Sequence, residues 1–263
     1  MTRGGAARRP IGSVSIHPVR RYPSSGTVSF GPGPITPAVR ALIIANVGVF
    51  VLTFVAAGPL IDFFGLTPSD VLTRRRIWQP VTYLFVHSPT ALTHILFNML
   101  ALWMFGVDLE RRWGTVFFVK YYFTTGVGAA ASVLLLSLLP LGWTAGLWSA
   151  TTIGASGAVY GLLMAWAILF PHREILFMFI FPLRARVFVL IVGAIAFLSA
   201  VGASGGPIAN LAHLGGLVAG WLYLKGPRDL QLTMRYHVTR WRMERMRRRF
   251  DVHRGGKKDP WVH

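Results

Sequence analysis

The stretch TTIGASGAVYG, residues 151–161, sets the hydroxyl of Ser156 among small residues, and ANLAHLGGLVAG, residues 209–220, carries the imidazole of His213. A serine hydroxyl is a weak nucleophile until a neighbouring base takes its proton, and neutral imidazole suits that task near pH 7. The pair therefore has the residue types for covalent acyl transfer, provided the two side chains meet within about 2.6–3.2 Å. A third segment, THILFN, spaces His94 and Asn98 four residues apart, one above the other on a helix face. Both could address one developing oxyanion, joined by the Ser156 backbone N–H near a helix N-terminus. Ser156 and Tyr160 are also four apart, which lays a phenol ring over the same face as the hydroxyl. Gly154 leaves the backbone before Ser156 bare, so that a substrate strand could approach. No acidic residue lies deep in these segments, so the chemistry would be that of a dyad, with Asn210 or Tyr160 helping to orient the His213 ring.

The elements that must position these groups are apolar. The chain is 53% hydrophobic and only 14% charged, against about 25% charged in an average soluble domain, which points to a membrane protein. Crossing about 30 Å of hydrocarbon takes roughly 17–25 helical residues. Six segments approach that length: 39–57, 91–110, 115–139, 151–170, 186–203 and 207–224. The expected fold is all-α, a polytopic six-helix bundle. Two shorter apolar stretches, LIDFFGL at 60–66 and EILFMFIFP at 174–182, are expected at an interface, which makes the first connection a partly immersed loop. Residues 1–37 are rich in Arg, Gly, Pro and Ser without an acidic residue and read as a disordered basic arm. Residues 38–224 form the six-span domain and 225–263 a basic tail, which either is simply solvated or meets anionic lipid headgroups.

Orientation follows from Lys and Arg, which are retained on the cytoplasmic side. Loops and ends on one side hold 24 of them, and the other side only Arg74, Arg75 and Arg76. Both termini are therefore expected in the cytoplasm, with the even-numbered spans entering from the outer face. Ser156, His213, His94 and Asn98 then fall between about 6 and 12 Å below the outer ends of their spans. Among His, Lys, Arg, Asp and Glu residues, only His94 and His213 sit in span interiors, where a polar group is costly without a partner or a task. Small-residue stripes, Gly157 and Gly161 on the fourth span and Ala212, Gly216 and Gly220 on the sixth, would let those two helices approach closely.

Together these pieces resemble the rhomboid family of intramembrane serine proteases. The resemblance rests on WQPVTYLFVH, HILFN, FGVDLERRWG, GASGAVYG and ANLAHLGGLVAG in that order, covering most of residues 77–224. It implies a six-helix rhomboid fold, Ser156 as nucleophile, His213 as base, His94 and Asn98 as oxyanion donors, and Tyr160 packed on the base. It further implies no cofactor, and cleavage of single-span membrane proteins near the outer face of a membrane, here expected to be a bacterial cytoplasmic one. Two departures bear on the first loop: the family's common Trp-Arg pair is Trp78-Gln79 here, and the stretch from His87 to His94 is slightly long.

Other classes fit less well. The net charge of +18 lies between apolar segments and not on a polar surface, which argues against nucleic acid as a partner. The chain has no cysteine, and no HExxH or carboxylate cluster accompanies His213, so no metal site is expected. A transporter would show paired, broken helices in its two halves, and none are evident. A catalytically silent rhomboid-like scaffold that binds membrane clients is the main alternative, and relatives of that kind typically lack the serine or the histidine. His87, at the outer edge of the second span, reads as structural or solvated, and Glu110 as a solvated or tying group at the inner end of that span.

Overall fold

A computed structural model describes residues 31–140, 144, 146–177, 181–201, 207–226 and 239–246. Most of the basic arm and tail, and the short 204–206 connection, lie outside the described residues. Six apolar helices dominate: α1 (Pro37–Phe64), α4 (Leu92–Trp113), α5 (Thr115–Ser137), α6 (Ser156–Leu169), α7 (Ala185–Val201) and α8 (Pro207–Lys225). Two short helices, α2 (Pro68–Thr73) and α3 (Gln79–Thr82), and a 3-10 turn over Tyr83–Phe85 fold the connection between α1 and α4. By length and composition α1, α4 and α5 suffice to cross a membrane, whereas α6 and α7 are shorter apolar helices.

α6 lies at the centre. At 14 residues it rises only about 21 Å, and it packs against α4, α5, α7 and α8. Gly157, Ala158, Val159, Gly161, Leu162, Leu163, Ala165, Trp166 and Ala167 are all buried, as expected of a helix that is hydrophobic all round. It begins at Ser156, not near residue 151 as the expected span implied. The β-branched run Thr151-Thr152-Ile153 favours extended backbone. Thr152 pairs antiparallel with Leu66, and Gly154 at φ +114° adopts a conformation that L side chains avoid.

The first helix also departs from expectation. α1 runs on to Phe64 across a break at Ala56 (φ −142°, ψ 50°), three residues before Pro59, whose ring and missing N–H disrupt the preceding turn. Most of LIDFFGL therefore continues a kinked helix. The other short apolar stretch contributes to an antiparallel hairpin, β1 (Glu174–Phe177) and β2 (Phe181–Arg184), with Glu174 opposite Arg184 and Leu176 opposite Pro182. This hairpin is the one addition to an otherwise helical bundle among the described residues.

Residues 31–36, read from sequence as part of a disordered arm, are instead fastened to α4. Arg111 donates to the carbonyls of Pro32 and Pro34, and Gly31 lies against the Trp103 ring. Glu110, 3% exposed, accepts from the Thr36 hydroxyl, the backbone N–H groups of Ala38 (3.0 Å) and Val39 (3.1 Å), and the Thr115 hydroxyl (2.7 Å). One carboxylate thus caps the start of α1 and joins it to α4 and α5, since the first N–H groups of a helix have no intrahelical acceptor. Glu110→Ala removes an acceptor shared by four donors, and we expect it to cost about 2–3 kcal/mol, seen as a lower unfolding midpoint in detergent with unchanged helical content before the transition.

Candidate active site

The glycine seam brings the two candidate groups together. A Cβ on Gly216 would overlap the Gly157 carbonyl oxygen, and one on Gly220 would lie 3.1 Å from the Gly161 carbonyl oxygen. The backbones of α6 and α8 therefore touch, as small-residue stripes allow. Tyr121 Oη reinforces the seam from α5 by donating to the Gly161 carbonyl at 2.8 Å. At the start of the seam, Ser156 Oγ and His213 Nε2 are 2.8 Å apart, within the range for direct proton transfer.

The imidazole is held by its faces. The Tyr160 ring stacks on His213 with centroids 4.2 Å apart and planes within 2°, and His213 Nδ1 is buried with no hydrogen-bond partner among the described residues. The plane of the ring is thus set by stacking on a side chain one helical turn beyond Ser156. With the proton on Nδ1, the Nε2 lone pair faces the serine hydroxyl.

Ser156 is the first residue of α6, so its N–H belongs to the set without an intrahelical acceptor and lies at the positive end of the helix. The turn that delivers it is bound from several sides. The Gly154 N–H donates to the Tyr83 carbonyl at 2.9 Å, and the Ala155 N–H points to His87 Nε2 at 3.5 Å. A Cβ on Gly154 would come within 2.7 Å of His94 Cε1 and Nε2. The bare face of Gly154, expected to admit a substrate strand, is therefore filled by the imidazole of His94. Gly154 serves both a left-handed φ and a close approach.

Asn98 is buried, and its amide nitrogen donates to the His94 carbonyl at 2.8 Å. His94 and Asn98 share a face as expected, but this bond turns the Asn98 amide back onto its own helix. Of the six site residues expected from sequence, His213 contacts both Ser156 and Tyr160 directly, Gly154 and His94 form the adjoining wall, and Asn98 supports that wall from one turn further along α4. No cluster of His, Cys, Asp or Glu able to hold a metal ion occurs among the described residues.

His87, read from sequence as structural or solvated, takes the structural place: it is fully buried, with its ring centroid 5.1 Å from that of His94. Its Nδ1 lies 3.4 Å from the Phe85 carbonyl while Nε2 faces the Ala155 N–H, which assigns the proton to Nδ1. Its partner is an amide 68 residues away, which no local spacing reveals. Burial, with a smaller contribution from neighbouring His94, lowers the His87 pKa from 6.5 to about 4.

The Rhomboid domain family model matches residues 74–226, more than half of the chain. The chain belongs to the rhomboid family. It is 34% identical to rhomboid protein 1, mitochondrial, of Saccharomyces cerevisiae over 49% of this chain and 36% of that protein. It is 28% identical to rhomboid protease GluP of Bacillus subtilis over 60% of this chain and 27% of that protein. It is 29% identical to rhomboid protease GlpG of Yersinia pseudotuberculosis over 82% of this chain and 71% of that protein. The matched region thus spans about a third or less of the first two relatives and most of the third. Family membership and the apolar helices make this rhomboid chain an integral membrane protein.

The depressed His87 pKa carries a stability consequence with a definite sign. The unfolded chain takes up a proton near pH 6.5 that the folded chain resists until about pH 4, so His87 costs the fold stability progressively across that window as pH falls. We expect His87→Gln, which keeps an acceptor without a titrating ring, to lose less of its thermal midpoint between pH 6.5 and pH 4 than the parent chain. Equal acid sensitivity in the two proteins would assign that loss to other groups.

Proposed function

We propose that this rhomboid chain is an intramembrane serine endopeptidase that uses Ser156 and His213 to cleave single-span membrane proteins near the outer face of the membrane. The reading rests above all on the 2.8 Å separation of Ser156 Oγ and His213 Nε2 across the α6–α8 seam. The names of the curated relatives, two of them rhomboid proteases, support the reaction class.

In this mechanism His213 Nε2 takes the Ser156 proton as Oγ attacks the scissile carbonyl carbon. The carbonyl oxygen becomes an oxyanion, met by the Ser156 N–H at the start of α6 and by the side chains of His94 and Asn98, the latter after release from or alongside its bond to the His94 carbonyl. Collapse of the tetrahedral intermediate breaks the C–N bond, and the proton on His213 passes to the leaving amine. Water then attacks the Ser156 ester, giving its proton to His213, and the second collapse returns that proton to Ser156 with release of the carboxylic acid. Tyr160 keeps the ring in plane through both transfers. No cofactor is required.

In this reading the basic arm and the basic tail both lie in the cytoplasm of a bacterium, with the Ser156 end of α6 toward the outside. It rests on the 24-to-3 partition of Lys and Arg read from sequence. Membrane lipid and single-span membrane proteins are the partners this plan requires.

A fluorophosphonate probe is expected to label the purified chain in detergent and to fail on Ser156→Ala. His213→Ala is expected to lose cleavage of a reconstituted single-span substrate by a factor of about 10³ or more while retaining its unfolding midpoint. Equal labelling of the parent and Ser156→Ala would remove the nucleophile assignment, and a folded chain that neither labels nor cleaves would instead be a client-binding scaffold.

A further inference from the structure

Asp62 in the last turn of α1 and Asp70, Arg74 and Arg76 in the connection to α4 form a cluster of two aspartates and two arginines. Arg76 Nη1 donates to the Asp62 carbonyl (2.6 Å), to Asp62 Oδ2 (3.2 Å) and to Asp70 Oδ2 (2.9 Å), while Arg74 Nη1 meets Asp70 Oδ1 at 3.1 Å. The Arg76 and Asp70 side chains are only 19% and 8% exposed, so this pair escapes most of the screening that makes surface ion pairs negligible. Arg76 thereby ties the last turn of α1 to α2.

The two residues between these anchor points that matter most are Leu66 and Thr67. Leu66 exchanges both backbone hydrogen bonds with Thr152, at 2.9 and 2.8 Å. The Thr67 hydroxyl meets that of Thr151 at 2.8 Å. Gln79, fully buried, closes the same loop by accepting from the Thr67 N–H (3.1 Å) and donating to the Asp62 carbonyl (3.3 Å) that Arg76 also engages. Thr151 and Thr152 open the extended run 151–153, which the turn at Gly154 and Ala155 joins to Ser156. An unbroken line of bonds thus runs from a guanidinium to the turn that carries the candidate nucleophile.

We propose that Arg76 is a positioning residue for Ser156: by clamping Asp62 and Asp70 it fixes Leu66 and Thr67 against Thr152 and Thr151, and so sets where Ser156 Oγ stands relative to His213. This rests on the Ser156–His213 dyad proposed above. The extended run pairs with its partner strand at a single bridge, and one bridge specifies register weakly unless its far side is held. A displacement of about 1 Å at a nucleophile lowers its rate by about 10²-fold. Arg76 touches neither reacting atom, so its loss acts on rate and leaves probe binding alone.

The test uses the purified full-length chain and a fluorophosphonate probe, with labelling followed over time at several probe concentrations to separate the maximal rate from the half-saturating concentration. Arg76→Met is expected to lower the maximal rate about ten-fold or more, with the half-saturating concentration unchanged. Arg76→Lys, which keeps a cation within reach of Asp70, is expected to recover most of that rate, as loss of packing alone would not predict. If Arg76→Met does not fold, Asp70→Asn carries the test, with a slower maximal rate expected in a chain of near-native shape. A parent chain labelled at Ser156 together with a folded variant that labels equally fast would overturn the positioning role alone. A parent chain that is never labelled would overturn the dyad and, with it, this proposal.

Discussion

At Gly216 the backbone of α8 comes so close to the Gly157 carbonyl that no side chain can intervene, and the rest of the candidate site depends on that contact. Ser156 is the residue before Gly157, and His213 stands three residues before Gly216 on the facing helix, so separating the two backbones by one methyl group would carry the hydroxyl and imidazole out of hydrogen-bonding range. In hydrocarbon there is no hydrophobic drive to press two helices together, and close packing of small residues takes its place. The sequence places its glycines accordingly, and the cost they impose on helix propensity is offset by contact that larger residues would prevent.

A second constraint is polar and lies at the end of α6 where that helix begins. Extended backbone beside a membrane bundle must find partners inside the protein, and here they come from the folded connection between α1 and α4. Leu66 and Tyr83 supply carbonyls to Thr152 and Gly154, and His87 faces the Ala155 N–H. Tyr83 also reaches the other way, its phenol donating to the Gly126 carbonyl of α5 at 2.8 Å. One short 3-10 turn therefore links the serine-bearing turn to a second wall of the bundle.

Much of this was legible in the sequence because it depends on periodicity and depth. The apolar runs located six helices, four of them to within about three residues at both ends, and the small-residue stripes marked the pair of helices that carries Ser156 and His213 on facing backbones. What was not legible came from partners far apart in the chain. Nothing local announces that Thr151 and Thr152 pair with the 66–67 segment, so an apolar run was read as helix through residue 151. EILFMFIFP has the hydrophobicity of an interfacial segment, and the antiparallel pairing of Glu174–Phe177 with Phe181–Arg184 is not marked by any period in that run. His87 has ordinary flanks, and its burial follows only from the placement of His94 and Ala155. Gln79 departs from the family's arginine at that position, whereas the structure carries a charge at Arg76 and gives Gln79 two backbone partners. Glu110, left undecided between solvent and a tying role, is held by four donors from two segments, the start of α1 and the start of α5.

The brevity of α6 bears on how such a chain can be made. A helix of about 21 Å followed backward by bare extended peptide could not rest in a bilayer by itself, because its amides would face lipid unpaired. That peptide becomes tolerable only when Leu66, Tyr83 and His87 have already arrived to receive it. Insertion of the earlier segments must therefore precede settling of the serine-bearing turn, and a nascent or half-assembled bundle would carry the serine without the environment that could make it reactive. Completion of the fold and arming of its candidate nucleophile would be one event during biogenesis.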